Sequence, residues 1–449
     1  MASMSQHWGY SQSIESVEQA NIVHSPLVQH LIVLWLMGAL VLLPLDIFRL
    51  PLNVTAVDLW MLMALPILWL FFLRGPQVIS LSYLVAIVVI LVASFASTFG
   101  APAPRNGIVV IVKEVFIFVW FYTLAAVFAQ LSAKQLRSIL AVWSAVVFLH
   151  GFIILGQFLS PSFWRIIVSV AGTLHDYEFY RPAGLFMNAN SAAFFQLLGF
   201  VPVLLVSPSR KVGMILGLLL LPTMLATGSM GAALAFAAGL TVAVAALCLS
   251  GYLITVIKLL AQLAAVIVLA GAVLFIVISQ NERYRAHFEH IFLGRAERSS
   301  EGRFDLWGRG FETLLAENVL LWGIGPENFR VVDHQGKQLH NDLIAFSVER
   351  GLLGVGGLAL FALFALSRAA SLVYLAQRQR ERARLVVVVF LGAVVAAVIE
   401  SLTHQAFHFR ELWIILALQE AVLFQMVSAA KKARLLLSVR GASRREVLT

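Results

Sequence analysis

Long apolar runs separated by short polar segments form the dominant pattern of this chain. A helix needs about 20 mostly apolar residues to cross the roughly 30 Å hydrocarbon core of a bilayer. Twelve runs approach this length, and they lie near residues 27–46, 55–73, 77–98, 107–130, 136–157, 183–206, 211–228, 230–250, 253–279, 340–367, 384–404 and 410–430. The pattern therefore predicts an all-α integral membrane protein with about 12 transmembrane helices. The seventh and eighth runs leave a re-entrant pair open as an alternative.

The composition excludes an ordinary soluble domain. Hydrophobic residues make up 60% of the 449 positions and charged residues only 12%, whereas soluble domains usually carry about 25% charged residues. The net charge of +9 would suit nucleic acid if the basic residues formed one stripe, but they alternate with the apolar runs. Basic clusters at 378–384 and 431–445 fall on one side of the predicted topology, which the positive-inside rule makes cytoplasmic. We therefore expect cytoplasmic termini, no cleavable signal peptide and no nucleic-acid partner.

The predicted helices divide the chain into five parts. These are a cytoplasmic segment 1–26, helices one to nine in 27–280, a long loop 281–339 on the opposite side, helices ten to twelve in 340–430, and a basic cytoplasmic tail 431–449. Within the long loop, Phe304, Trp307 and Phe311 recur at helical spacing behind Ser299 and Ser300, which are candidate caps. This spacing predicts an amphipathic helix over 302–317 that lies on the membrane surface.

The first candidate for chemistry begins at His340, where the long loop re-enters the membrane. Glu349 and Arg350 follow two or three turns deeper. Ionisable residues inside a membrane are costly, which favours a functional role. The alternative is that Glu349 and Arg350 neutralise each other or a neighbouring helix.

The second candidate, Arg181, precedes Pro182 at the predicted start of the sixth helix. Proline is common in a first helical turn. An anion at this helix N-terminus would be held by backbone N–H groups and by the helix dipole. The alternative is an interfacial arginine that extends its guanidinium towards water.

The third candidate is the arginine set of the long loop, Arg295, Arg298 and Arg303. Guanidinium groups bind diphosphate through forked, charge-assisted hydrogen bonds, although these arginines could instead pair with nearby acidic residues. Gly323 and Gly325 follow a helix and no strand, so they favour a tight turn over a dinucleotide fingerprint.

No metal or cofactor is expected. The single cysteine, Cys248, excludes a thiolate cluster and an internal disulfide. A site formed by Asp333, His334 and His340 is retained as an alternative. Another alternative is a transport path along scattered ionisable residues in the predicted helices, namely Lys113, Glu114, Lys258, Glu400 and Glu420.

Four motifs occur here in a fixed order: R-P-x-G-x-x-x-N-x-N from Arg181, G-R-x-x-x-W from Gly302, G-I-G-P-x-N-F from Gly323 and H-N-D-x-I-x-x-x-x-E-x-G-x-x-G from His340. Together with the twelve helices and the long loop, they resemble the O-antigen ligase and polymerase superfamily of Gram-negative inner membranes. The resemblance implies a GT-C-like glycosyltransferase that needs neither a metal nor a nucleotide.

The resemblance also implies roles for individual residues. His340 is expected to be the general base. Substrate contacts are expected from Arg181, Arg303, Arg295, Arg298, Asn188, Asn190, Asn341 and Glu349. The implied reaction moves O-antigen from undecaprenyl diphosphate to a sugar of the lipid A core at the periplasmic face, among membrane lipids. An O-antigen polymerase and a protein O-oligosaccharyltransferase are alternatives within the superfamily, and a lipid-linked oligosaccharide transporter is an alternative outside it.

Overall fold

The computed structural model describes residues 26–46, 49–50, 54–74, 78, 80–160, 162–163, 165–166, 181–254, 256–258, 260–262, 264–265, 268, 272, 294–315, 319–377 and 381–446. Within these ranges the regular structure is helical, apart from one antiparallel pair of two-residue strands, β1 (Arg49–Leu50) and β2 (Val54–Thr55). The predicted all-α class is therefore confirmed.

The helices of the described chain are numbered in chain order. They are α1 (Pro26–Leu42), α2 (Ala56–Arg74), α3 (Leu81–Phe99), α4 (Pro104–Gln130), α5 (Ala133–Leu159), α6 (Ala189–Leu198), α7 (Phe200–Val206), α8 (Arg210–Leu218), α9 (Leu220–Ala226), α10 (Met230–Leu249), α11 (Gly294–Leu314), α12 (Val319–Trp322), α13 (Phe329–Val332), α14 (Asp342–Ala376), α15 (Glu381–Ser401) and α16 (Arg410–Glu446).

Seven helical segments of the described chain are long and apolar enough to cross a membrane. Three shorter apolar helices accompany them, at Pro26–Leu42, Lys211–Ala226 and Val387–Ser401. The described residues of the predicted span 253–279 are helical, and the rest of that span lies outside the described residues. The multi-pass architecture is therefore confirmed, and the number twelve stays a prediction.

The bundle packs around aromatic side chains. The most extensive contacts between helices join α10 to α15, α14 to α3, and α16 to α4. Trp413 of α16 is fully buried, with its ring 5.1 Å from that of Phe361, 5.2 Å from Phe407 and 5.3 Å from Phe118. Large apolar side chains such as Phe152 are instead exposed on the outside, as lipid-facing positions require.

Hydrogen bonds between connecting segments show which of them share one end of the bundle. Asn328 Oδ1 accepts from the Ala103 N–H at 2.7 Å, and Asn341 Nδ2 donates to the Leu402 carbonyl at 2.8 Å. Arg181 Nε donates to the Thr227 carbonyl at 3.0 Å. The segments that precede α4, α6, α10 and α14, and the loop after α15, therefore meet at this end, which we call the site end.

A helix is present in the predicted amphipathic segment, but its bounds differ. It begins at Gly294 instead of 302 and ends at Leu314 instead of 317. Ser299 and Ser300 therefore lie inside the helix, and their prediction as caps is wrong. Leu306 of this helix packs with Leu339 and Ile344, which seats α11 on the start of α14.

A break in α14 accommodates the glycine-rich turn. Gly351 has φ of 65°, outside the helical region. The carbonyls of Val348 and Glu349 accept hydrogen bonds from Ile324 N–H at 3.0 Å and from Gly325 N–H at 2.8 Å. The N–H groups of the turn thus donate to the carbonyls at the break. Non-helical backbone within a membrane needs such partners because no water is present to supply them. We refer to this feature as the Gly351 break.

Two further boundaries differ from the predicted ones. Helix α14 begins at Asp342 with Asn341 as its N-cap, so His340 precedes the helix. Helix α16 continues to Glu446, so most of the predicted tail 431–449 is helical.

Candidate functional site

Two histidines lie side by side at the site end. His340 precedes α14, and His404 lies in the loop between α15 and α16. Their ring centroids are 5.6 Å apart, and the ring planes are inclined by 40°. The arrangement brings together two residues that sequence spacing alone does not connect.

Two side chains that follow His340 hold these segments in place. Asn341 Nδ2 donates to the Leu402 carbonyl at 2.8 Å, while its Oδ1 caps α14 by accepting from Ile344 N–H at 3.1 Å. Asp342 Oδ2 accepts from Phe407 N–H at 2.9 Å. We call the bonds to Leu402 and Phe407 the loop clamp. Asn341 was predicted to bind substrate, and the structure places its amide in this clamp.

The segment from Arg181 to Asn190 approaches the histidines from a third side. Asn188 caps α6 through its Oδ1, and its Nδ2 lies 3.2 Å from His404 Nε2. Arg181 Nη2 donates to Asn190 Oδ1 at 3.1 Å. Helix α6 begins at Ala189, so Pro182 is not in a first helical turn and that prediction is wrong. Arg181 lies in the non-helical segment before α6, and its side chain reaches the turn at Thr227.

Arg303 of α11 completes the group. Its side chain is half-buried, and among the described residues its guanidinium makes no hydrogen bond or ion pair. Burial lowers the pKa of Arg303, and the facing carboxylate of Glu400 partly opposes that shift. A half-buried arginine without a bound carboxylate is a site where an anionic ligand is expected.

The electrostatics of the site keep both imidazoles neutral near pH 7. Burial, and then the charge of Arg303, lower the pKa of His340 below its usual 6.5. Burial lowers the pKa of His404 to about 3, assisted by His340 and by Arg303. A neutral His340 retains a lone pair and can accept a proton.

Not every predicted site residue joins this group. Glu349 packs beside the 323–329 turn, where the backbone N–H groups of Glu327 and Phe329 face its carboxylate. Arg350 Nη2 lies 2.5 Å from Glu114 Oε1 of α4, and its Nε donates to Ser94 at 2.8 Å. Arg350 Nη1 also lies 3.9 Å from Glu349 Oε2, so Arg350 pairs both with its neighbour Glu349 and, at shorter range, with the neighbouring helix α4. The side chains of Arg295 and Arg298 lie outside the described residues.

The sequence interpretation missed His404 and assigned Glu400 to a scattered set. The predicted span 384–404 placed both inside an apolar run, whereas α15 ends at Ser401. Thr403 Oγ1 is 3.5 Å from Glu400 Oε2, and Glu400 Oε1 is buried without a partner among the described residues. The available signal was the polar sequence E-S-L-T-H at the end of the run.

An apolar cavity lies farther down the same helices. Its volume is about 200 Å³, and α7, α8, α10 and α15 line it. Ala396 at one border is one turn before Glu400 and on the same face of α15. The polar group at the site end thus stands above an apolar space.

The alternative metal site is not assembled. Asp333 Oδ1 accepts from Arg309 Nε at 2.8 Å, and its Oδ2 accepts from the backbone N–H groups of Gln335 and Lys337. The described part of the chain holds no group of three or more metal-ligating side chains.

Comparison with protein families gave one match. The family model described as O-antigen ligase matches residues 212–361, about a third of the chain. The matched part runs from α8 into α14 and includes Arg303 and His340, whereas Arg181 and His404 lie outside it. The match is consistent with a member of the O-antigen ligase and polymerase superfamily. No curated protein matched the chain.

Proposed function

Proceeding from this family match, we propose that the protein is an O-antigen ligase of the bacterial inner membrane. It transfers O-antigen glycan from undecaprenyl diphosphate to a sugar of the lipid A core, at the periplasmic face. The site end is then the periplasmic end of the bundle.

The observation that carries this proposal is the unpaired guanidinium of Arg303 beside neutral His340. The donor's diphosphate bears negative charge that increases as its bond to the sugar breaks. Arginines that are already in place stabilise such charge without reorganisation. Arg303 is available for this role because no carboxylate of the described chain binds it. Arg181, fixed by Thr227 and Asn190, contributes a second positive charge at the same end.

His340 acts as the general base. The acceptor hydroxyl oxygen attacks the anomeric carbon while its proton passes to the His340 imidazole. The bond between that carbon and the diphosphate oxygen breaks, and undecaprenyl diphosphate leaves with the bonding electrons. General base catalysis needs hydrogen-bond reach and a free lone pair, and a histidine whose pKa lies below 6.5 supplies the lone pair near pH 7.

The apolar cavity supports an amphiphilic substrate. A polyprenyl donor places a charged head at the membrane surface and its chain among lipid. The cavity follows α15 away from Glu400, so a chain attached to a diphosphate near Arg303 finds apolar surroundings in that direction. A transporter would also bind such a lipid, but it would not require a base beside the sugar.

The decisive experiment supplies purified protein in nanodiscs with lipid-linked O-antigen and one of three acceptors. The acceptors are lipid A core, a second lipid-linked glycan and an acceptor peptide. We expect glycan on lipid A core only. Extension of the lipid-linked glycan would indicate a polymerase, and modified peptide an oligosaccharyltransferase. Movement of intact donor across the bilayer with no product would indicate a transporter.

A chelator arm tests the expected independence from metal. The transfer rate should be the same with excess EDTA as without it, because the charge of the leaving diphosphate is assigned to arginines. A strict requirement for an added divalent cation would contradict this assignment.

A further inference from the structure

The contact between Asn188 and His404 defines which ring nitrogen of His404 holds a proton. Asn188 Oδ1 accepts the Asn190 N–H at 2.8 Å as the cap of α6. The amide group facing His404 Nε2 at 3.2 Å is therefore the Nδ2 group, which can only donate. His404 Nε2 must accept, so the neutral ring carries its proton on Nδ1.

The surroundings of His404 also keep its ring singly protonated. The residue is only 6% exposed. A second ring proton would stand on Nε2, directly opposite the donating amide of Asn188. The charges of Arg303 and Arg181 further disfavour a cation at this position. The only lone pair of the neutral ring is thus taken by Asn188, and His404 cannot serve as a base.

The proton on Nδ1 has no acceptor. Among the described residues this nitrogen is buried and makes no hydrogen bond of normal geometry, although the backbone of Gln405 lies close enough to raise the pKa of the ring. Buried donors in native proteins are nearly always satisfied, so an orphan at a site indicates a group supplied from outside. The half-buried His340 ring packs beside the His404 ring, with 5.6 Å between their centroids, so both rings border the same part of the site.

We propose that His404 is a substrate-binding residue whose Nδ1–H donates a hydrogen bond to an oxygen of the donor diphosphate, with Asn188 as the residue that positions the tautomer. The inference rests on the proposed function and deepens it. A diphosphate is the fitting acceptor because Arg303 and Arg181 act on the same ring. The two histidines then have different roles, since His340 accepts a proton and His404 only donates a hydrogen bond.

The first test is nuclear magnetic resonance of protein labelled with ¹⁵N-histidine, in which the His404 signals are identified by their loss in His404→Asn. The neutral Nδ1–H tautomer is expected, and the Nδ1 proton should shift on addition of undecaprenyl diphosphate. Inorganic pyrophosphate should cause the same shift at higher concentration, because it lacks the chain. A proton on Nε2, a doubly protonated ring, or an equal shift with undecaprenol would overturn the proposal.

The second test uses two substitutions of His404 by amide side chains, each of which reproduces the hydrogen-bonding group at one of the two ring nitrogens. His404→Asn places an N–H near the position of Nδ1, whereas His404→Gln keeps an acceptor for Asn188 and loses the Nδ1 donor. Affinity for undecaprenyl diphosphate should fall roughly 10- to 100-fold in the Gln variant, the scale for a hydrogen bond to a charged group. It should fall clearly less in the Asn variant. The exposed His334→Gln serves as the control.

The outcomes separate this inference from the proposed function. If wild-type protein does not bind undecaprenyl diphosphate, the proposed function fails. If undecaprenyl diphosphate binds to the wild-type and His404→Gln proteins with equal affinity, only the role of His404 fails. The tautomer measurement on wild-type protein decides the case if the variants do not fold, with Asn188→Asp, which preserves the cap, as a second means of identifying the His404 signals.

Discussion

Arg303 influences the His340 imidazole in addition to its proposed role in binding the substrate. Its positive charge disfavours protonation of the ring and so lowers the pKa of His340, after burial as the larger cause. Below that pKa the imidazole is protonated and the base is lost, so activity should decline on the acid side of the pH profile.

Replacing Arg303 tests this coupling. In Arg303→Gln the pKa of His340 should rise, so the acid limb of kcat/KM moves to higher pH, while the plateau falls because a diphosphate contact is lost. Arg303→Lys keeps the charge and should keep the limb near its wild-type position, although the ammonium lacks the forked geometry. The full pH profile of each variant is the measurement. An unmoved limb in Arg303→Gln would contradict the coupling.

The role of His340 itself is tested by His340→Ala. Turnover should fall by roughly 10² to 10⁴, the usual share of general base catalysis, while binding of undecaprenyl diphosphate stays close to that of wild type. Single-turnover transfer and a separate binding assay measure the two quantities. The control His334→Ala removes an exposed histidine of the same segment. A variant that transfers glycan at the wild-type rate would exclude His340 as the base.

At the scale of elements, the Gly351 break joins α14 to the turn that follows α12. A Cβ atom at Gly351 would lie 2.2 Å from the Leu321 carbonyl oxygen, and its φ of 65° strains any side chain. Gly351→Ala should therefore lower stability by roughly 1–3 kcal/mol. Gly356→Ala, in the same helix, meets nothing within 4 Å and should be neutral or slightly stabilising. Thermal unfolding in nanodiscs compares the two, and equal melting temperatures would refute the steric argument.

The buried pair Arg350–Glu114 joins α14 to α4. Arg350→Met would leave Glu114 buried without its main counter-charge, and losing one partner of such a pair usually costs roughly 3–5 kcal/mol. Arg350→Met combined with Glu114→Leu removes both charges and should recover much of this loss. Unfolding of the single and double variants is the comparison. A double variant as unstable as the single one would show that the loss comes from packing.

The elements were predictable from sequence to a larger extent than the site. Helices follow from apolar runs, and the turn at Gly323 and Gly325 follows from its glycines, which adopt φ of 77° and 93°. The start of α11 was misplaced because polar residues from 294 to 301 offer no apolar period. The His340–His404 contact depends on tertiary packing between two segments that are far apart in the sequence. The lengths of local apolar runs carry no information about that packing.

At the scale of the whole molecule, the proposed function requires the site end to face the periplasm. In a Cys248→Ala background, a cysteine at His334 should react with a membrane-impermeant thiol reagent added from the periplasm. A cysteine at Gln377, exposed near the other end of α14, should react only after the inner membrane is opened. The reverse pattern would invert the topology and remove the periplasmic site on which the proposed function depends.

The loop clamp also has a consequence for the order in which the site forms during synthesis. Its two hydrogen bonds join positions that are 61 and 65 residues apart, with α14 and α15 between them. A nascent chain that has inserted α14 but not the final pair of helices holds His340 without its neighbour and without its anchors. The site is therefore complete only after the loop between α15 and α16 has been synthesised, and chains terminated before that loop should lack the proposed transfer activity.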